Sequence, residues 1–234
     1  MADETSTDET TDETTDETTD ESTEELSAAE TLLETLYNNP TFVEPARVML
    51  QGLTDGTTDE ETLFDESLVE LEEINRVPLQ PLVGIMGTLV RYGAVEEVVT
   101  VNGAEYEGSS EDAYTDEDIT DEDVVATEAV ITEVGTEVLA LLQPPVRMDR
   151  IFEMYPDLAD GFLKTLELCN TDEGLSTAEL FDGLDAEGLL YRNESTDIPT
   201  RYPSTFANLM RDGGGIEWHD TWITTDAGRE YAGL

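Results

Sequence analysis

Two segments of the chain end in the same pattern. Thr132-Glu133-Val134-Gly135 runs on to Val138 and Leu141, and Thr225-Asp226-Ala227-Gly228 runs on to Tyr231 and Leu234. Each follows a short run with strand character. Upstream of each lies a Leu-Phe-Asp triplet, Leu63-Phe64-Asp65 and Leu180-Phe181-Asp182. Between triplet and ending, each copy has a helical stretch that stops at glycine: Leu89 to Gly93, and Leu209 to Gly213. Features recurring in one order indicate an internal duplication, so the chain is built from two related units and not one large core.

Apolar periodicity fills in each unit. In the first, Leu32, Leu33, Leu36 and Tyr37 recur at helical spacing before the break at Asn38-Asn39-Pro40. A second helical run holds Phe42, Val43, Ala46, Met49 and Leu50, with Pro45 expected in its first turn. Further helices surround Leu63–Leu71 and Leu82–Leu89. Ala94–Val101 reads as a strand with a turn at Asn102-Gly103. An acidic insertion, 105–128, holds eleven Asp/Glu. Ala129–Thr132 is the expected return strand, and Gln143-Pro144-Pro145 a boundary. In the second, Leu158, Phe162, Leu166 and Cys169 share a stripe, and Ser176 to Glu179 has capping-box spacing. A helix is expected from Thr200 to Arg211, then strands at Ile216–Trp218 and Thr221–Ile223. The expected fold class is mainly α with small β-hairpins. The divisions are an acidic tail (1–26), a first domain (27–143) and a second (144–234).

The tail repeats Thr-Asp-Glu-Thr and has too little apolar surface to offset the entropy of ordering, so disorder is expected. Net charge is −47, from 57 acidic and 10 basic residues, and Lys164 is the only lysine. Molar salt shortens the screening length to about 3 Å, so such self-repulsion suits a concentrated-salt cytoplasm. The composition resembles that of proteins from salt-loving archaea. No apolar run approaches the roughly 18 residues of a membrane span. Neither is there a basic-then-apolar leader. A cytoplasmic location follows as an expectation.

The order of helix, helix, helix, strand, hairpin, strand and closing helix resembles a winged-helix domain. The Thr-x-x-Gly segments resemble the end of archaeal winged-helix regulators, where threonine caps a terminal helix. The resemblance is to tandem winged-helix proteins and covers about 40–142 and 146–234. It departs from that pattern in the acidic wing of the first copy. It implies that the third helix of a DNA-binding copy enters the major groove while the wing touches the backbone.

Basic residues are uneven: Pro145 to Leu234 holds seven, against three from Thr31 to Pro144. Arg192, Arg201, Arg211 and Arg229, with His219, fall around the third helix and wing of the second copy. With Tyr202 and Trp222 they form the candidate DNA-contacting set. Each has a plainer reading: the arginines pair with carboxylates, His219 is solvated at a turn, and one of Trp218 and Trp222 packs on the core.

Catalysis finds no support in the residues. One histidine and one cysteine cannot build the usual His/Cys metal sites. The phosphate loop and the nucleophile elbow are missing. Asp116-Glu117-Asp118 and Asp121-Glu122-Asp123 lack EF-hand spacing. No cofactor and no metal are expected. Two functions remain. One is a DNA-binding transcriptional regulator, acting through the second domain. The other is a protein-binding adaptor of a chromosome-condensation or transcription complex, without direct DNA contact. The first domain is the expected site of a protein partner, or of homodimerisation through the Leu32–Tyr37 stripe.

Overall fold

The computed structural model describes residues 26–56, 58–76, 78, 80–120, 122–190 and 202–234. The acidic tail, apart from Leu26 at its end, lies outside them. The chain is mainly helical, with two small antiparallel sheets among the described residues. The first unit contains α1 (Ala28–Asn38), α2 (Pro40–Asp55), α3 (Glu60–Glu73), α4 (Leu82–Arg91), β1 (Val95–Val101), β2 (Ala104–Glu105), α5 (Ser110–Thr115), β3 (Val125–Ile131) and α6 (Glu133–Leu141). The second contains α7 (Pro144–Met154), α8 (Ala159–Cys169), α9 (Thr177–Ala186), α10 (Pro203–Asp212), β4 (Ile216–Trp218), β5 (Trp222–Thr224) and α11 (Asp226–Ala232). Each unit has its own core, one centred on Leu32, Met49, Ile85 and Leu89, the other on Phe162, Leu166, Phe206 and Met210.

The repeated motif is a lock between three pieces of backbone. In the first unit the Thr132 hydroxyl accepts from Gly135 N–H (3.1 Å) and donates to Gly93 O (2.6 Å). In the second, Thr225 accepts from Gly228 N–H (3.0 Å) and donates to Gly214 O (2.7 Å). Thr132 N–H donates to Ala94 O, and Thr225 N–H to Gly215 O. One side chain therefore caps the closing helix and ties it to the end of α4 in the first unit and of α10 in the second. Glycine follows because of the close approach. A Cβ on Gly135 would lie 2.1 Å from Ala94 O, and one on Gly228 2.1 Å from Gly215 O.

The two third helices end alike. Ala94 N–H donates to Leu89 O, and Gly215 N–H to Met210 O, each past a left-handed glycine, Gly93 (φ 71°) and Gly214 (φ 78°). This is the Schellman closure. It corrects the sequence alignment by one residue: Gly93 matches Gly214, not Gly213, so Val90 matches Arg211.

A further equivalence precedes each Leu-Phe-Asp helix. Ala129 N–H donates to Thr58 O, and Trp222 N–H to Leu175 O, both at 2.7 Å. Asp59 and Ser176 then cap α3 and α9. Leu63 and Leu180 fall into the two cores. Each return strand is thus held by one residue just ahead of the Leu-Phe-Asp helix.

Other expectations needed correction. A helix absent from the sequence reading, α7, opens on Pro144 and Pro145, which sit in its first turn where no N–H is needed. Pro45 lies inside α2, whose first residue is Pro40. The first return strand starts at Val125, so part of the acidic insertion is strand, paired with β1 from Val95↔Ile131 to Val101↔Val125. The Asn102-Gly103 turn, with both φ angles positive, joins β1 to β2.

Candidate functional site

The structure draws the two units together on a seam of charged and polar contacts. Arg147 of α7 is 3% exposed and bonds Glu44 of α2 at 2.6 Å. Arg47 holds the other Glu44 oxygen at 2.6 Å and reaches Glu70 at 3.0 Å. Burial alone would raise the Glu44 pKa, but the two guanidiniums, Arg147 first, outweigh it and hold the carboxyl below the ordinary glutamate value. Asn75, in a left-handed conformation, donates to Trp218 O (3.1 Å). Arg76 donates to Arg211 O and pairs with Asp212 at 3.3 Å. Burial, then the neighbouring Arg211 charge, lowers the Arg76 pKa. Arg150 lies over the Tyr37 ring, 4.1 Å from its centroid.

The candidate DNA-contacting residues divide between these surroundings. Arg192 and Arg201 lie outside the described residues. Tyr202 precedes α10 and is 58% exposed. Arg211 leaves α10 towards the seam, with Nη2 3.6 Å from Asp212. Its Nε is buried without a partner. His219, at the hairpin tip, lies 3.3 Å from Glu217. Arg229 is held on its own helix by Asp226 and by Thr224 O. Trp222 is a core residue and not a surface contact. It is 8% exposed, its indole N–H donates to Thr177 (3.1 Å), and Trp218 packs on it edge-to-face. The exposed positions of α10 are Ser204, Thr205, Asn208 and Asp212, a face with no described cation.

Of the ten lysines and arginines, eight are described. Seven lie against a carboxylate or ring: Arg47, Arg76, Arg147, Arg150, Lys164, Arg211 and Arg229. The eighth, Arg91, is in the last turn of α4, where the helix dipole favours a cation. The seam residues Glu44, Asn75, Arg76 and Arg147 were not found from sequence. Glu44 and Arg147 are 103 positions apart, and no local pattern links them.

Cys169 is fully buried, and burial pushes its thiol up to about 12. A thiol held protonated is a poor nucleophile. Alkylation of the folded protein should therefore be slow and should accelerate on unfolding; rapid labelling of the folded chain would contradict this placement. Among the described residues, no group of three or more His, Cys, Asp or Glu is placed to hold a metal ion. No helix among them is long and apolar enough to cross a membrane. In comparisons with known proteins, the chain matches no family model, no curated protein and no solved structure.

Proposed function

We propose that the chain is a tandem winged-helix adaptor, adapted to concentrated salt, that binds protein and makes no direct contact with DNA. The element order supports the winged-helix reading. In each unit three successive helices, α2 to α4 and α8 to α10, with a bridging residue ahead of the Leu-Phe-Asp helix, are followed by antiparallel strands and a closing helix. In the first unit this reading takes α1 as an added packing helix, and α7 fills the same place in the second.

One observation carries the choice of adaptor. The third helix and hairpin of the second unit are the parts a winged helix offers to DNA. Here the first unit grips both: Asn75 holds Trp218 O and Arg76 holds Arg211 O. The described arginines nearby are spent on carboxylates. A net charge of −47 repels phosphates, and the salt that screens this repulsion also weakens phosphate contacts. The second reading, a DNA-binding regulator, draws on exposed Tyr202, Ser204, Thr205 and Asn208, beside Arg201. Catalysis, a cofactor and a metal have no part in either reading.

The test is affinity capture of the full chain from lysate at native salt, with and without nuclease. A protein partner recovered in fixed ratio under both conditions is expected. Recovery that disappears with nuclease, or recovery of DNA alone, would overturn the adaptor reading.

A further inference from the structure

The seam leaves an apolar groove on one side of the Arg147–Glu44 pair. It has a volume of about 310 Å³ and takes walls from both units: Tyr37 and Val43 from the first, and Ile151, Met154, Tyr155 and Leu209 from the second. Met154 is 52% exposed and Tyr155 41%, and the two lie side by side on the groove wall. A neighbouring depression continues past Tyr37 and Arg150 to Leu33 and Val146, edged by Asp149 and Glu153. Arg150 is laid on the Tyr37 ring, and the two side chains line both depressions.

We infer that this groove docks an amphipathic helix of a partner protein, apolar on one face and flanked by lysine or arginine. The inference rests on the adaptor reading and names the partner chemistry for it. The groove lies among helices α1, α2, α7 and α10, so it suits a side-chain-mediated contact of the helix-in-groove kind. Its volume matches one or two apolar side chains of the incoming helix, and Met154 can adjust to their shape. Charge decides among occupants. The chain's own tail has 13 acidic residues in its first 30, and the rim bears Asp149, Glu153 and Asp212 against one exposed cation, Arg150. A second copy brings another −47. Both are opposed by like-charge repulsion, whereas basic flanks are attracted. Because both units build the walls, the groove exists only while the seam is closed, and occupancy in turn favours the closed seam.

The experiment is fluorescence anisotropy of a labelled helical peptide of leucine, lysine and alanine, titrated with the full chain in molar potassium chloride. Two control peptides replace the leucines with serine or the lysines with glutamate. The leucine–lysine peptide should bind saturably, and each control at least about tenfold more weakly. Met154→Glu should also weaken binding at least about tenfold, even though its added charge would strengthen purely electrostatic attraction. Val83→Glu, on exposed α4 surface, should change nothing. Circular dichroism checks that both variants fold. Equal binding by Met154→Glu, or by the glutamate peptide, would overturn the inference. So would a dimer of the chain, seen by sedimentation, that Met154→Glu dissociates. The two proposals fail separately: partner capture unaffected by Met154→Glu removes the groove and leaves the adaptor, whereas absence of any captured protein removes the adaptor.

Discussion

Gly228→Ala should destabilise the second unit by about 3 kcal/mol or more, the upper end of overpacking costs. The added methyl would sit 2.1 Å from Gly215 O. That oxygen is backbone, and it is pinned by the Thr225 N–H at 3.0 Å. Neither partner can turn away as a side chain would, so α11 must lift from the strand pair. Gly135→Ala should do the same to the first unit, through Ala94 O. The control is Gly84→Ala or Gly87→Ala on the exposed face of α4, where a Cβ meets nothing within 4 Å. Those should stabilise by about 0.5–1 kcal/mol each, the ordinary helix preference of alanine over glycine. Thermal unfolding in molar potassium chloride separates the two groups. Wild-type melting of Gly228→Ala would show that the shared motif is not a lock.

The other large effect is expected at the seam. Arg147→Met should cost about 3 kcal/mol, because it leaves the largely buried Glu44 carboxylate with only Arg47 for support. Adding Glu44→Leu should recover part of that loss, since removing both charges avoids the stranded carboxylate. The pair also has a pH signature. The Glu44 pKa is depressed in the folded state. Its contribution is therefore complete above the unfolded glutamate value, about 4.3, and is lost as pH falls through the lower folded value. Arg147→Met should flatten that acid limb of stability. An unchanged acid limb in the variant would place the acid sensitivity elsewhere among the carboxylates.

Legibility from sequence followed the range of each interaction. Thr132 and Thr225 were readable because a threonine cap and its glycine lie three residues apart, and the same local geometry recurs in the second unit. The strand–turn–strand after each third helix was readable for a similar reason. Errors arose where composition offered equivalent choices. Gly213, Gly214 and Gly215 all suit a helix end, and only the left-handed φ of Gly214 selects it. Val125 to Glu128 was hidden by the acidic residues around it, although the strand there pairs regularly with β1. The helix α7 was missed because Pro144 and Pro145 signal a boundary, although proline also starts helices.

The candidate site was less legible. Trp218 and Trp222 oppose each other across a hairpin, and sequence alone left open which of them packs; the structure buries Trp222. The clustering of arginine in the second unit was visible, but its partners were not. Arg76 meets Asp212 across 136 positions, and Arg147 meets Glu44 across 103. Such pairs depend on how the units dock, which no local pattern records.

The separation of protein binding from DNA binding is tested most directly by titrating the full chain into labelled duplex DNA. The series should run through the molar range of potassium chloride, with the Arg201→Ala/Arg211→Ala variant in parallel. The expected result is no saturable complex at any salt concentration, for either protein. A saturable complex whose affinity falls linearly with the logarithm of salt concentration, and which the double variant does not form, would contradict the account.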